Sequence, residues 1–408
     1  MKKSPLPPKG AAAGHPNEVS LLNQKIDAVV VGAGYAGAVA ARVLAERGMH
    51  VAVLERRTHV AGNAYDRPDE AGVLIHQYGP HIFHTNDKRV FDWLSRFTQW
   101  RDYQHRVIAN IPGQGDTRMT YPVPFNLTSL ETAFGPEEGR RLGDKLLAAY
   151  GPERKVTILE LRQNEDPEIA ALADYVYEHV FVHYTMKQWG QKPEEIDPNT
   201  TARVPIFLSR DDRYFQDTCQ GMPLEGYTPM FERMLDHPNI ALALGVDAKD
   251  HLELADGVIR FEGEPFSGPV IFTGQVDELF RFRFGPLPYR TLEFRFETLD
   301  QDDFQGYGTV NYTVDRPYTR ITEFKHLTGQ VLPGKTTIVK EYSKAYAGLP
   351  DETPYYAIIN PANNALYSKY RELAEQYPNL HLLGRLAEYK YYNMDAIAGR
   401  ALDLAESL

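Results

Sequence analysis

One stretch near the start of the chain, residues 26 to 57, limits the fold more than any other: IDAVVVGAGYAGAVAARVLAERGMHVAVLERR. It reads as an apolar strand, a glycine-rich turn, an alanine-rich helix that ends at Gly48, and a second apolar strand that ends at Glu55. A strand, a helix and a second strand in this order form a βαβ unit, which is completed by further parallel strands. The pattern therefore predicts an α/β domain.

The glycine-rich turn predicts a dinucleotide site. Its G-x-G-x-x-G spacing is met by Gly32, Gly34 and Gly37. Bare glycine backbone and the N-terminus of the following helix accept a pyrophosphate, and an acidic residue about 20 positions further on binds a ribose hydroxyl. Glu55 lies 18 positions beyond Gly37 and would repel the 2′-phosphate of NADP. The spacing does not separate NAD from FAD, because both contain a pyrophosphate and an adenosine ribose.

Composition excludes several classes of ligand. The chain has 408 residues, of which 43% are hydrophobic, enough for two or three domains with their own cores. A formal net charge of -11 argues against general binding to nucleic acids or anionic membranes, so an anionic ligand must be held by a few placed arginines. A single cysteine, Cys219, excludes an internal disulfide and a cysteine-based metal site. It also favours a reducing compartment, and we expect a cytoplasmic protein.

The first 25 residues differ from the rest. They are rich in Pro, Gly and Ala and lack the apolar core of a signal peptide, so we expect residues 1–25 to form a flexible leader. No run of 18 uncharged apolar residues occurs anywhere, and no membrane-spanning helix is predicted.

Periodicity divides the remaining sequence. Helical spacing is found in FGPEEGRRLGDKLLAAYG, DPEIAALADYVYEHVFVHYTMKQWG and TPMFERMLDH, whereas RTLEFRFETL, YGTVNYTVD, TRITEFKHL and KTTIVKEYS alternate like half-buried strands. NIALALGVDA, GPVIFTGQVDELF and NLHLLGRL are apolar strands that we expect to return to the first domain. The predicted domains are a dinucleotide-binding domain at 26–100, 225–285 and 375–408, a helical domain at 126–224, and an antiparallel sheet domain at 101–125 and 286–374.

Eight motifs carry a resemblance to a known family. They are VGAGYAG, GNAYD, YGPHIFHT, YPVPFNL, GYTPMFERML, VNYTVDRPYTRITEFKH, PYY and GRLAEYKYYNMD, in this order along the chain. In these motifs the chain resembles the UDP-galactopyranose mutases, which are FAD enzymes. The resemblance implies a discontinuous Rossmann-like FAD-binding domain, an inserted helical domain with a mobile substrate lid, and an antiparallel β-sheet domain.

The family interconverts UDP-galactopyranose and UDP-galactofuranose without net redox change, which supplies galactofuranose for cell-surface glycans. The resemblance implies that N5 of reduced FAD attacks the sugar C1 and forms an adduct, so that the cofactor is the nucleophile. NADPH or NADH is the expected reductant. The expected partners are the two UDP-sugars and, as a homo-oligomer, further copies of the chain, but neither nucleic acid nor membrane.

The resemblance assigns site residues by motif. The implied cofactor-binding residues are Gly32, Gly34, Gly37, Glu55, Arg56, Gly62, Asn63, His81, Val246, Gly384, Arg385, Asn393 and Met394. The implied catalytic residues are Arg203, Arg320 and His84. The implied substrate-binding residues are His105, Phe181, Tyr184, Thr185, Trp189, Arg203, Tyr214, Phe215, Asn311, Arg320, Tyr356, Arg385 and Tyr391. Arginine suits the diphosphate because a guanidinium neutralises phosphate oxygens without a proton transfer.

Two positions depart from common family patterns: Ala61 stands where many relatives have glycine, and Asn393 where many have Asp. His105 occupies a substrate-side position where some relatives have Asn. The histidines His76 and His81, with His84, lack a carboxylate or cysteine at ligand spacing, and no metal is expected.

Two other functions remain open from the residues. An FAD-dependent oxidoreductase of the amine-oxidase type would share the dinucleotide domain but oxidise its substrate. A binding protein on the same scaffold, like the GDP-dissociation inhibitors, would use no flavin. The aromatic residues between 181 and 189 also fit the buried stripe of a helix.

Overall fold

The computed structural model describes residues 25–113, 116–183, 186–187, 190 and 205–408. The strands are β1 (Ala28–Val31), β2 (Val51–Glu55), β3 (Asp66–Pro68), β4 (Leu74–His76), β5 (Phe83–Thr85), β6 (Trp100–Asp102), β7 (Val107–Pro112), β8 (Arg118–Val123), β9 (Lys155–Val156), β10 (Ile206–Phe207), β11 (Cys219–Pro223), β12 (Ile240–Leu244), β13 (Leu252–Ala255), β14 (Val258–Phe261), β15 (Glu264–Pro265), β16 (Val270–Phe272), β17 (Tyr289–Leu299), β18 (Thr309–Asn311), β19 (Arg320–Glu323), β20 (Thr336–Ala345), β21 (Tyr356–Ala357) and β22 (Leu380–Leu382). The α-helices are α1 (Tyr35–Glu46), α2 (Lys88–Leu94), α3 (Leu127–Phe134), α4 (Pro136–Tyr150), α5 (Ile158–Arg162), α6 (Pro167–Val176), α7 (Tyr227–Leu235), α8 (Val276–Leu279), α9 (Phe324–Thr328), α10 (Pro361–Ala374) and α11 (Met394–Ser407).

A five-stranded parallel sheet begins with the βαβ unit. Its order is β12-β2-β1-β16-β22, so strands that are far apart in the sequence lie beside the first two. β1 and β2 are almost fully buried, because a parallel sheet covered on both faces favours continuous apolar strands. This sheet, with its helices, confirms the predicted α/β fold class.

Small residues allow α1 to pack closely. Its alanines are buried, and α11 and α7 lie against it. The α11 sequence alternates small and large apolar residues, so the last helix closes the same core as the first. No helix in the described part of the chain combines the length and apolar character that crossing a bilayer requires.

A second sheet has seven strands in the order β21-β17-β20-β19-β18-β7-β8. Its pairings are antiparallel, as predicted, except that of β18 with β7, which is parallel and corrects the prediction at this one pairing. The physical reason is that the β7–β8 hairpin comes from an earlier part of the chain and adds to the edge that β18 leaves open. The segment TRITEFKHL also ends in helix α9 and is a strand only as far as Glu323.

Helices α3 to α6 pack on the β7–β8 hairpin and form a separate apolar core. Local caps set their starts: Asn126 and Ser129 form a capping box at α3, and Asp166 caps α6 before Pro167. α6 continues into a π-helical turn, Tyr177–Val182. Four smaller sheets complete the described framework: the three-stranded sheets β5-β11-β6 and β13-β14-β15, the second of which is a meander, and the two-stranded sheets β9-β10 and β3-β4.

Candidate active site

The glycine turn joins the end of β1 to the start of α1. Gly32 has φ +101°, and a Cβ on it would lie 2.1 Å from Thr273 Oγ1. A Cβ on Gly37 would lie 1.9 Å from the carbonyl oxygen of Gly32. No side chain fits at either position, so the helix N-terminus can approach the end of the sheet as a dinucleotide pyrophosphate requires.

Glu55 ends β2 and is 6% exposed. Its two carboxylate oxygens accept N–H groups of Ala33 and Arg57, each at 2.8 Å. A carboxylate has about four acceptor positions, so both oxygens can still accept a ribose hydroxyl. Glu55 therefore ties the glycine turn to the end of β2 and remains a suitable ribose ligand.

A cavity of about 530 Å³ opens beside this turn, at the carboxyl ends of the parallel strands. Seven of the residues predicted to bind the cofactor line this cavity: Gly32, Gly34, Glu55, Arg56, Gly62, Asn63 and Val246. Arg57 donates to Asn63 Oδ1 at 2.9 Å, and Arg56 lies 3.3 Å from Glu278 Oε2 at the rim. Position, size and polar lining fit the adenosine diphosphate half of a dinucleotide.

His81 lies in the loop between β4 and β5. Its Nδ1 is 2.8 Å from the carbonyl oxygen of Gly79, and because a carbonyl only accepts, Nδ1 carries the proton. Burial lowers the pKa of His81 to about 3, with smaller contributions from His76, Arg385 and Arg320. The imidazole is therefore neutral near pH 7.

His84 and His105 approach the same region from β5 and the segment before β7. His84 Nδ1 lies 2.9 Å from Asp217 Oδ2, and its ring stacks on Phe215 with centroids 3.5 Å apart. His105 is buried, 3.1 Å from the Tyr103 hydroxyl. Burial, followed by the charge of Arg320, lowers the pKa of His105 to about 3.

The aromatic residues 214 and 215 pack around His105. The centroids of Tyr214 and Phe215 lie 5.8 and 6.1 Å from that of His105, and the backbone N–H of Tyr214 donates to the His105 carbonyl at 2.8 Å. The arrangement gives a wall of neutral rings, which suits a sugar or a nucleobase more than a free anion.

The seven-stranded sheet supplies charged residues to the site. Asn311 on β18, Arg320 on β19 and Glu341 on β20 lie side by side in the strand register. Arg320 Nε is 2.8 Å from Glu341 Oε1, and the carboxylate is fully buried whereas the arginine side chain is 25% exposed. Asn311 is buried, and its Oδ1 has no hydrogen-bond partner among the described residues. Such an orphaned acceptor is expected where a ligand supplies the donor.

The C-terminal motif brings a second arginine. Arg385 Nε donates to the Tyr392 carbonyl at 2.6 Å, and its guanidinium lies over the rings of Tyr391 and Tyr356, at 4.5 and 5.9 Å from their centroids. The two tyrosine rings are stacked 6.2 Å apart. Burial raises the pKa of Tyr356, so its phenol stays protonated and can donate.

Electrostatic contacts connect these groups into one cluster. The positive charge of Arg320 lowers the pKa of His81, His105 and Tyr356. The charge of Arg385 lowers the pKa of His81 and Tyr356. A Cβ on Gly384 would lie 3.5 Å from Ala36 in α1, so the C-terminal motif also adjoins the dinucleotide turn. Asn393 is the N-cap residue of α11, and Met394 is its first residue. We call this group the arginine cluster: His81, His84, His105, Tyr214, Phe215, Asn311, Arg320, Glu341, Tyr356, Arg385 and Tyr391.

Four sequence-predicted residues, Tyr184, Thr185, Trp189 and Arg203, lie outside the described residues. The backbone of Phe181 belongs to the π-helical turn, and its side chain is not among the described parts.

Sequence reasoning missed two carboxylates of the site. Glu341 lies two and four positions after Val339 and Thr337, and a strand places all three on one face. The sequence signal that could have identified Glu341 is a charged residue on the buried face of a strand. Asp217, which holds His84, follows β10 in an irregular segment and had no such signal.

Within the described ranges, three side chains have the spacing of metal ligands: Asp303, Glu323 and His326. Glu323 already accepts the N–H groups of Phe304 and Gln305. Its carboxylate thus anchors a surface loop, which accounts for its burial without an ion.

A family model described as UDP-galactopyranose mutase matches residues 179–391, and one described as NAD(P)-binding Rossmann-like domain matches residues 30–97. In overall shape the chain is similar to a crystal structure of reduced UDP-galactopyranose mutase, with TM-score 0.67 and 16% identity over 94% of this chain and 93% of that one. A putative protoporphyrinogen oxidase from Exiguobacterium has TM-score 0.61 and 14% identity over 94% and 98% of the two chains.

Two curated relatives are similar over nearly their whole length. The UDP-galactopyranose mutase of Mycoplasma pneumoniae is 36% identical over 94% of this chain and 96% of its own. The dTDP-fucopyranose mutase of Escherichia coli is 35% identical over 93% of this chain and 97% of its own. The family model covers the arginine cluster from Tyr214 onward, and the two relatives match nearly the whole chain. The chain belongs to the UDP-galactopyranose mutase family.

Proposed function

We propose that this chain is an FAD-dependent isomerase that interconverts UDP-galactopyranose and UDP-galactofuranose without net redox change. The observation that carries the proposal is the arginine cluster, in which the charge of Arg320 reaches His81 and His105 and the motif that carries Arg385 adjoins the helix of the dinucleotide turn through Gly384. A sugar-nucleotide diphosphate needs fixed cations, and a flavin ring needs neutral hydrogen-bonding groups.

The cavity residues would hold FAD. The glycine turn and the start of α1 would receive its pyrophosphate, Glu55 its ribose, and Val246 would lie beside its adenine. When bound and reduced, FAD would supply the nucleophile, its N5, for the sugar C1. We propose NADPH or NADH as the source of its electrons. The remaining chemistry is assigned to side chains of this chain.

Arg320 and Arg385 would hold the diphosphate of the substrate. A guanidinium stays charged throughout turnover, so it stabilises the diphosphate both when bonded to the sugar and when released. Glu341 holds Nε of Arg320 at 2.8 Å and thereby fixes the orientation of its plane. Tyr356 and Tyr391, which flank Arg385, would donate their hydroxyls to phosphate oxygens. Arg203, predicted from the sequence, would be a further cation.

The neutral histidines would handle the sugar and the flavin ring. With a pKa of about 3, His81 and His105 add no positive charge near pH 7, so they do not compete with the arginines for the diphosphate. His84, held by Asp217, would orient the flavin side of the site. Asn311, through its orphaned Oδ1, would accept a hydroxyl of the sugar or an N–H of the cofactor.

We further propose that the product supplies galactofuranose to cell-surface glycans, and that the protein acts in the cytoplasm as a homo-oligomer. The net charge of -11 and the single cysteine support such a setting.

A second sugar nucleotide is a candidate substrate because a relative named dTDP-fucopyranose mutase is as similar as the UDP-galactopyranose mutase, at 35% and 36% identity. The test is to incubate the dithionite-reduced holoenzyme with UDP-galactofuranose or dTDP-fucofuranose and to follow the pyranose forms by chromatography. We expect faster turnover of the UDP-sugar. Preference for the dTDP-sugar would replace the proposed substrate, and turnover of neither would reject the isomerase.

A further inference from the structure

His76 has no part in the function described so far. Its side chain is almost fully buried, with 1% exposure, and it ends β4 just before the loop that carries His81. Its Nδ1 accepts the backbone N–H of His81 at 3.0 Å. An imidazole nitrogen accepts only when it is unprotonated, so the single proton of the neutral ring is on Nε2. Burial lowers the pKa of His76 to about 4, which keeps this acceptor available near pH 7.

The His76 ring is held in place by aromatic neighbours. The rings of Tyr227 and Phe324 lie 5.6 and 5.7 Å from it, and both are fully buried. Tyr227 is itself fixed, because its backbone N–H donates to Asp66 Oδ2 at 2.6 Å. The acceptor that His76 offers to the loop is therefore part of a packed core, not of a movable surface group.

Three hydrogen bonds together fix His81. His76 accepts its N–H at 3.0 Å, the Tyr227 hydroxyl donates to its carbonyl at 3.2 Å, and its own Nδ1–H donates to Gly79 at 2.8 Å. The first two hold the backbone, and the third selects the ring tautomer. The tautomer leaves Nε2 of His81 with a lone pair that can accept a hydrogen bond.

We propose that His76 is a positioning residue that holds the His81 acceptor against the flavin ring and thereby favours the reduced flavin. The inference rests on the proposed function, because it requires a flavin beside His81. Reduced flavin carries an N–H at N5 that oxidised flavin lacks, so an acceptor held at the ring edge stabilises the reduced form more than the oxidised form. His76 sets the acceptor's position through the backbone and does not touch the cofactor.

The test measures the two-electron midpoint potential of the holoenzyme by dye equilibration. His76→Leu removes the acceptor at similar volume, whereas His76→Asn keeps an acceptor at the position of Nδ1. We expect His76→Leu to lower the ratio of reduced to oxidised flavin about tenfold, which is about 30 mV for a two-electron couple. His76→Asn should stay near the wild-type potential. The control is His251→Leu, which removes a histidine paired with Glu262 in the meander.

A readout that needs no flavin separates this inference from the proposed function. Hydrogen–deuterium exchange of the His81 amide should be at least tenfold faster in His76→Leu than in wild type, and restored in His76→Asn. A wild-type potential and wild-type exchange in His76→Leu would overturn the inference even if the enzyme is an active isomerase. If the purified wild-type protein contained no flavin, the proposed function would be rejected. The exchange measurement does not test that function.

If His76→Leu does not fold, His76→Gln takes its place. Glutamine puts its acceptor near the position of Nε2 and not of Nδ1, so it should lower the potential and speed exchange while His76→Asn does neither. Equal behaviour of the two amides would contradict a role for the Nδ1 contact.

Discussion

Nε of Arg320 lies 2.8 Å from Oε1 of Glu341, its cross-strand neighbour on β20, and the carboxylate is fully buried while the guanidinium reaches the edge of the arginine cluster. The pair has two consequences. Glu341 fixes the direction of Arg320, and Arg320 compensates a charge that the core could not otherwise hold.

Arg320→Ala should reduce turnover about 10²- to 10³-fold, the range for losing one fixed group that stabilises developing charge. Flavin content should not change, because Arg320 does not line the dinucleotide cavity. Arg316→Ala is the control, since Arg316 is half exposed and pairs with Asp315 outside the cluster. Steady-state rates and the flavin-to-protein absorbance ratio measure both effects. A near-normal rate would remove Arg320 from the site.

The same substitution should make stability depend on pH. Burial raises the pKa of Glu341, and Arg320 opposes this shift. Without Arg320 the pKa of Glu341 in the folded state lies further above its value in the unfolded state. The protein then keeps its stability at low pH, where Glu341 is protonated, and loses stability as pH rises and Glu341 ionises. We expect Arg320→Ala to lose up to about 3 kcal/mol at pH 8 and less at pH 5 by denaturant unfolding. Arg320→Ala/Glu341→Gln should recover most of the loss at pH 8, and an equal loss at both pH values would contradict the account.

Glu55→Ala should reduce flavin retention, because the carboxylate both holds the glycine turn and faces the cavity. The buried N–H of Ala33 and the partly buried N–H of Arg57 lose their acceptor, and a loss of about 1 to 3 kcal/mol of unfolding free energy is expected for the buried group. Glu253→Ala is the matched control, since Glu253 lines the same cavity but is exposed. Flavin released on gel filtration is the measurement. Equal retention in both variants would show that Glu55 is not a cofactor ligand.

His105→Asn should make the protein less sensitive to acid. Burial depresses the pKa of His105 to about 3, so neutral His105 contributes stability above the unfolded pKa near 6.5, and this stability is lost as pH falls towards 3. Asparagine has no such titration. The slope of unfolding free energy against pH should fall by about 1.4 kcal/mol per pH unit between pH 6 and 4. An unchanged slope would mean that His105 is not buried as a neutral ring in solution.

Tyr391→Phe should weaken substrate binding while flavin content stays normal. The ring remains to pack against Arg385, but the hydroxyl proposed for the diphosphate is lost. A hydrogen bond to a charged group contributes about 1.5 to 3 kcal/mol, which corresponds to a KM increase of about 10- to 150-fold. Steady-state KM for the UDP-sugar measures it, with Tyr392→Phe as the neighbouring control. A wild-type KM would place the hydroxyl elsewhere.

Local sequence patterns predict the parallel sheet well. The first strand, turn and helix have continuous apolar and small-residue patterns, and the turn leaves no room for other residues at Gly32 and Gly37. The resemblance also located Arg320, Arg385, His81 and His105, which the structure brings together although they are far apart in the sequence.

Cross-strand relationships were not predictable from local pattern. The parallel pairing of β7 with β18 depends on which edge of the sheet is open, and the partner of Arg320 depends on the register of β19 with β20. A one-residue change of register would turn Glu341 away from Arg320, and periodicity alone does not fix it. The hydrogen bond from the backbone N–H of His81 to His76 Nδ1 likewise joins a loop without a regular pattern to the end of a strand.

The most direct test of the central claim is an anaerobic reaction of the reduced enzyme with UDP-galactofuranose, in which the sugar and the flavin spectrum are followed together. We expect many turnovers to UDP-galactopyranose while the flavin spectrum stays reduced, and strongly reduced conversion with Arg320→Ala. Oxidation of the flavin in proportion to the sugar consumed would contradict an isomerase and favour an oxidoreductase of the amine-oxidase type.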